Sequence, residues 1–164
     1  MPSIRLCLFF ISLFCGAAII VALIMQHGFA MEPCPLCISQ RIFILLVGSL
    51  TLLAAWLIQH RWLLRLKIVL AALSSLIGAA ISARHVWIQN LPEDKVPECG
   101  MSFSYIFDTQ PLFDALSLLF RGDGHCAEVH LSILGLSIPA WTLLSFIIMF
   151  VALSLLFWRS LKEK

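Results

Sequence analysis

Four stretches of the chain run apolar for about the thickness of a bilayer core, and polar residues collect between them. Residues 6–25 carry no charge. Residues 42–58 are a little short, and 37–40 can extend them. Residues 68–83 reach full length once 84–89 are added. Residues 138–158 form the clearest run. None of the four alternates with period two, as barrel strands would. Backbone polar groups in lipid must then be satisfied within each segment, which selects helices. The predicted fold is an all-α membrane protein. It is a four-helix transmembrane bundle with spans at about 6–26, 41–58, 67–88 and 138–158, in one integral membrane domain covering 1–164.

Composition agrees. The 164 residues are 61% hydrophobic and 12% charged, with mean hydropathy +1.00, so the lipid bilayer is the natural solvent. A net charge of +2 with no basic stripe excludes a nucleic-acid partner. The first span follows Arg5, as a signal peptide's apolar region would. Its length and the lack of a small-x-small site predict that it stays uncleaved. Leu13-Phe14-Cys15-Gly16 is similar to a lipid-attachment box, but the bulky Phe14 argues against one.

Charge sets the expected orientation. Arg5, Arg61, Arg65, Lys67, Arg159, Lys162 and Lys164 fall on one side of the four-span layout. Eight of the nine acidic residues fall on the other, among them Glu32, Glu93, Asp94 and Glu98. The positive-inside rule then predicts cytoplasmic termini and a cytoplasmic 59–67 loop, with loops 27–40 and 90–137 outward. Within the second outward loop, Leu112, Phe113, Leu116, Leu119 and Phe120 recur at helical spacing, with Asp114 and Ser117 opposite. They predict a short amphipathic helix that lies either in the interface or on the end of the bundle.

Six cysteines carry the candidate chemistry. Cys7 and Cys15 lie within the first span, where a thiol serves as a small apolar group. Cys34, Cys37, Cys99 and Cys126 lie at or near the outward surface, where disulfides persist. A Cys99–Cys126 bridge could simply staple the long loop. A Cys34–Cys37 bridge would close too small a ring to stabilise much, which points to redox use. Pro33 and Pro35 put that pair at a helix N-terminus, where free N–H groups favour a thiolate. Arg41 lies one turn beyond Cys37 on the same face. It can stabilise a thiolate, or serve as a snorkelling anchor. No pair of histidines stands at metal-ligand spacing, so no metal is expected.

Several runs resemble the DsbB family of disulfide bond formation proteins. They are Gln26-His27-Gly28-Phe29, Glu32-Pro33-Cys34-Pro35-Leu36-Cys37 with Gln40-Arg41, and Arg84-His85-Val86-Trp87-Ile88-Gln89. Pro97-Glu98-Cys99-Gly100, His125-Cys126-Ala127-Glu128 and 134–141, ending Ile138-Pro139-Ala140-Trp141, complete the set. The resemblance runs nearly the whole chain, in order. It implies an inner-membrane thiol:quinone oxidoreductase that reoxidises a periplasmic DsbA-like thiol oxidase. The expected catalytic residues are Cys34, Cys37, Cys99 and Cys126. The expected cofactor is a membrane quinone, ubiquinone ahead of menaquinone, bound by Arg41 and His85. By resemblance, the partner attacks Cys99 and releases Cys126. Cys126 forms a transient disulfide with Cys34, and Cys37 reduces the quinone. His85 could also be an interface residue, and His125 a plain loop histidine. A non-enzymatic four-span protein with structural disulfides is the contrasting reading.

Overall fold

In a computed structural model of the chain, residues 2–28, 33–57, 60–92, 124–127, 132–133 and 135–162 are described. Four helices dominate: α1 (Pro2–Gly28), α2 (Pro35–Trp56), α3 (Arg61–Gln89) and α4 (Ile138–Lys162). All four are long and apolar enough to cross a membrane. The chain is an all-α membrane protein. The amphipathic segment expected at 111–121, and Cys99 with it, lie outside the described residues.

Each helix packs on the next in sequence: α1 on α2, α2 on α3, α3 on α4, while α1 and α4 barely touch. The core between them is built from Ile4, Leu8, Val47, Ile68, Phe146 and Leu153, all essentially inaccessible. The outward faces are equally apolar, with Phe10, Leu45, Leu76 and Ile148 exposed, as suits a surface solvated by lipid. Without a hydrophobic drive to separate core from lipid, close approach matters more. Small residues supply it. A Cβ at Gly78 would lie 2.5 Å from the Phe146 ring, and one at Gly48 would lie 2.9 Å from Cys15 Cβ.

Buried hydroxyls find partners at once. Thr51 donates to the Val47 carbonyl at 2.8 Å, and Ser82 to Gly78 at 2.9 Å. Ser75 reaches across to the Phe146 carbonyl at 2.8 Å and ties α3 to α4. At one end of the bundle, basic side chains take up the free carbonyls of helix C-termini. Lys67 donates to the carbonyls of Leu53 in α2 and of Leu57, its C-cap, and Arg65 to Ser160 of α4.

The opposite end holds Cys34, Cys37 and Cys126. There α2 starts earlier than its apolar run, because Cys34 caps it and Pro35 has the fixed φ suited to a first helical turn. A single 3₁₀ turn (Gly124–Cys126) packs on α2 and α3. Next comes a two-stranded hairpin, β1 (Ser132–Ile133) with β2 (Leu136–Ser137), leading into α4. Gly135 turns it at φ +79, a conformation side chains resist.

Candidate redox site

The site begins with the cap. The Cys37 N–H donates to Cys34 Sγ at 3.3 Å, and the Ile38 N–H to the Cys34 carbonyl at 3.1 Å. This satisfies donors that a helix start leaves orphaned. It also folds the two sulfurs together, with Cys34 Sγ donating to Cys37 Sγ at 3.0 Å. Both are free thiols and partly accessible.

Cys126 is the third thiol. The 3₁₀ turn drops it into a small apolar nest with Leu36, Ile81 and Ile88, where it is completely buried. Its side chain hydrogen-bonds Cys34. Contacts with Cys126 and then Cys37, together with burial, push the Cys34 thiol above its ordinary range. Two residues 92 positions apart in sequence thus meet at a distance where thiol–disulfide exchange is possible.

His85 reaches the same point from α3. It is only 2% exposed, so it is a bundle residue and not one of the lipid interface. Its Nε2 lies 3.8 Å from Cys34 Sγ, its Nδ1 lies 3.2 Å from Gln40 Nε2, and its ring bonds the Cys126 backbone. The ligand atoms of Cys34, Cys37 and His85 all lie within 4.8 Å of one another, compact enough to hold a thiophilic cation as well as to exchange a disulfide. Spacing in the sequence gave no sign of this, since His85 stands 48 residues beyond Cys37.

Arg41 is half-buried. Its guanidinium donates from Nη1 to Gln26 Oε1 and from Nη2 to the Ala22 carbonyl at 3.3 Å, both on α1. Its charge still acts on Cys37, one turn away. A fixed cation, a buried imidazole and a thiol at one end of the bundle suit an acceptor that gains negative charge as it is reduced. A quinone is such an acceptor.

Three positioning contacts were not anticipated from the sequence: Gln26 on Arg41, Gln40 on His85, and Thr142 on Gln40 at 3.1 Å. Gln26 and Gln40 stand in the runs that carry the family resemblance. Their only other signal is a polar amide on an otherwise apolar face. Thr142 gives none. Cys7 is exposed on the lipid side, and Cys15 is buried with its thiol 3.6 Å from the Met149 sulfur. Neither joins the site.

Three thiols and an imidazole gathered at one end of a lipid-solvated bundle make this an integral-membrane thiol–disulfide oxidoreductase. The family model for "Disulfide bond formation protein DsbB" matches residues 4–156. A disulfide bond formation protein B of Saccharophagus degradans is 50% identical over 165 residues, covering 99% of this chain and 96% of that protein. Those of Chromohalobacter salexigens and Methylococcus capsulatus are each 46% identical. They cover 84% and 90% of this chain, and 80% and 90% of their own lengths. The chain belongs to the DsbB family and is a protein-thiol:quinone oxidoreductase of disulfide bond formation.

Proposed function

We propose that the chain sits in the bacterial inner membrane, with both termini cytoplasmic and the cysteine end periplasmic, and reoxidises a soluble DsbA-like dithiol. The docking of Cys126 against Cys34 carries this reading, because it joins the loop pair to the helix-capping pair. The order of exchange is the one the family resemblance implies, and the contact of Cys126 with Cys34 supports its second step. A partner thiolate attacks Cys99 in a Cys99–Cys126 disulfide, and Cys126 leaves as thiolate. Cys126 attacks Cys34, and Cys37 leaves. The partner's second thiol displaces Cys99, so the partner departs oxidised. Cys99 then attacks Cys126, and Cys34 is released as thiolate. The role of Cys99 rests on the family resemblance.

The Cys34–Cys37 disulfide re-forms as the two thiolates give up two electrons, and the two protons of the net reaction come from the partner's thiols as they ionise to attack. A bound quinone, held by Arg41 and His85, would supply the two-electron, two-proton acceptor, so that the net reaction turns dithiol and quinone into disulfide and quinol. Arg41 supplies fixed positive charge beside Cys37, and His85 hydrogen-bonds the sulfur of Cys34. Ubiquinone is the proposed acceptor ahead of menaquinone.

The test uses the purified protein in detergent with a reduced DsbA-like protein. Oxidation is expected only when quinone is added, faster with ubiquinone than with menaquinone. Oxidation independent of quinone, or stoichiometric zinc with no turnover, would overturn the reading.

A further inference from the structure

Gln40 is a neutral amide held 4% exposed within an apolar bundle, and its side chain joins three helices. It belongs to α2. Its Oε1 accepts from the Thr142 hydroxyl on α4 at 3.1 Å, and its Nε2 faces His85 Nδ1 on α3 at 3.2 Å. Such a group is expensive to bury unless its polar atoms are met, and here both ends are.

Direction is the informative feature. An amide NH₂ can only donate, so the Nδ1 it faces must accept through its lone pair. A neutral imidazole with an accepting Nδ1 carries its hydrogen on Nε2. Nε2 is the atom 3.8 Å from Cys34 Sγ. Thr142 meets the oxygen end of that amide. Its hydroxyl donates to Gln40 Oε1 at 3.1 Å, with the Pro139 carbonyl a second acceptor at 2.8 Å, and with Oε1 set toward α4 the NH₂ is left for His85.

We propose that Gln40, oriented by Thr142, is a positioning residue that holds His85 in the tautomer with its hydrogen on Nε2, aimed at the Cys34 sulfur. The assignment rests on the relay proposed above and says how one of its steps is assisted. When Cys99 attacks Cys126, the Cys99–Cys126 bond forms and the Cys34–Cys126 bond breaks. The electron pair of the broken bond stays on Cys34. The Nε2–H donates to that new thiolate, with no proton transferred and no group rearranged. The same thiolate then closes onto Cys37 as two electrons pass to the quinone. With the hydrogen on Nδ1 instead, a lone pair would face the charged sulfur and oppose its release.

The experiment uses full-length protein labelled with ¹⁵N-histidine in detergent, at mildly alkaline pH. The His85 resonances are assigned by their loss in His85→Asn. Wild type is expected to show hydrogen on Nε2 and a lone pair on Nδ1. Gln40→Met keeps the size and removes the amide, and should give a mixture of tautomers. Single-turnover quinone reduction after the oxidised variant is mixed with reduced partner, a course that passes through release of Cys34 from Cys126, should slow about tenfold or more, a usual cost of losing an orienting contact. Mixed-disulfide formation with the partner at Cys99 should be unchanged. Thr142→Val, a milder change, should shift the same resonances and slow the same step. Hydrogen on Nδ1 in wild type, an unchanged signature in both variants, or a shifted signature with rates within twofold would each overturn the proposal. If wild type reduces no quinone, the relay fails, while the resonances still decide whether Gln40 sets the tautomer.

Discussion

Cys34 is touched by two other thiols, and its chemistry follows from them. The contacts with Cys126 and Cys37 favour the protonated sulfur, so its thiolate fraction near neutral pH is small. In the fully reduced protein, the alkylation rate of Cys34 should rise only at pH above the ordinary thiol range. Cys126→Ala removes the largest cause and should bring that midpoint down. Mass spectrometry of the Cys34 peptide across pH checks both, and an ordinary midpoint in wild type would contradict the contact. Arg41 poses a separate question, since α1 holds its guanidinium through Gln26 and Ala22. A hydrogen bond to a charged group is worth about 1.5–3 kcal/mol, so losing the guanidinium should raise the quinone concentration for half-maximal rate about tenfold or more. Arg41→His should show this with partner affinity nearly unchanged, and Gln26→Leu should do the same more weakly. Steady-state kinetics with each substrate varied in turn separates the two. A fall in partner affinity alone would make Arg41 a structural anchor.

At the scale of helices, the bundle depends on where backbones come close. A Cβ at Gly78 would lie 2.5 Å from the Phe146 ring, which is itself fully buried and has nowhere to move. Gly78→Ala should therefore destabilise by about 1–3 kcal/mol, the usual cost of overpacking. Gly78→Ala with Phe146→Leu should recover part of that, because the two changes share one contact. Unfolding midpoints in detergent give the comparison, and additive losses would show that the helices part more easily than the packing implies. The four helices were legible from hydrophobic length alone, since lipid demands a long uncharged segment for each. The cap at Cys34 and Pro35 was legible too, because its chemistry is local. What periodicity does not carry is which helix faces which. His85 meets Cys34 across 51 residues, and Thr142 meets Gln40 across 102. A residue's face can be read from spacing, but its partner depends on the packing order of four helices with nearly equivalent apolar surfaces. Gln26 and Gln40 were visible as polar residues without a visible purpose for the same reason.

For the whole molecule, the charge asymmetry and the cysteine end must lie on opposite sides of one membrane. Lys67 and Arg65 cap helix C-termini at the end remote from Cys34, so the basic side is also built into the packing. Because α3 already begins at Arg61, only the short connection between α2 and α3 remains of the loop expected at 59–67; reporter fusions should place it in the cytoplasm and the 90–137 loop outside, and a periplasmic signal from the short connection would invert the layout. The order of the relay is the last consequence. Cys126 is completely buried against Cys34, so an incoming protein thiol finds it screened, whereas an attack on Cys99 leaves Cys126 already beside its next partner. A mixed disulfide lasts until a neighbouring thiolate attacks it, and removing that neighbour should trap it. Cys126→Ser, mixed with a partner that lacks its own second cysteine and carries the first as a mixed disulfide with a small aromatic thiol, should accumulate a covalent complex through Cys99, the small thiol leaving. Cys99→Ser should accumulate much less, because the remaining thiol is enclosed by Leu36, Ile81 and Ile88. Cys7→Ala with Cys15→Ala, added to the Cys126→Ser background, should leave the trapped yield within a few-fold, since neither thiol joins the site. Peptide mapping of the trapped species identifies the linked cysteine. A dominant Cys126–partner bond would mean that the 3₁₀ turn lifts away before the partner arrives, reversing the order of the first two exchanges while leaving the proposed roles of Cys34, Cys37 and Arg41 untouched.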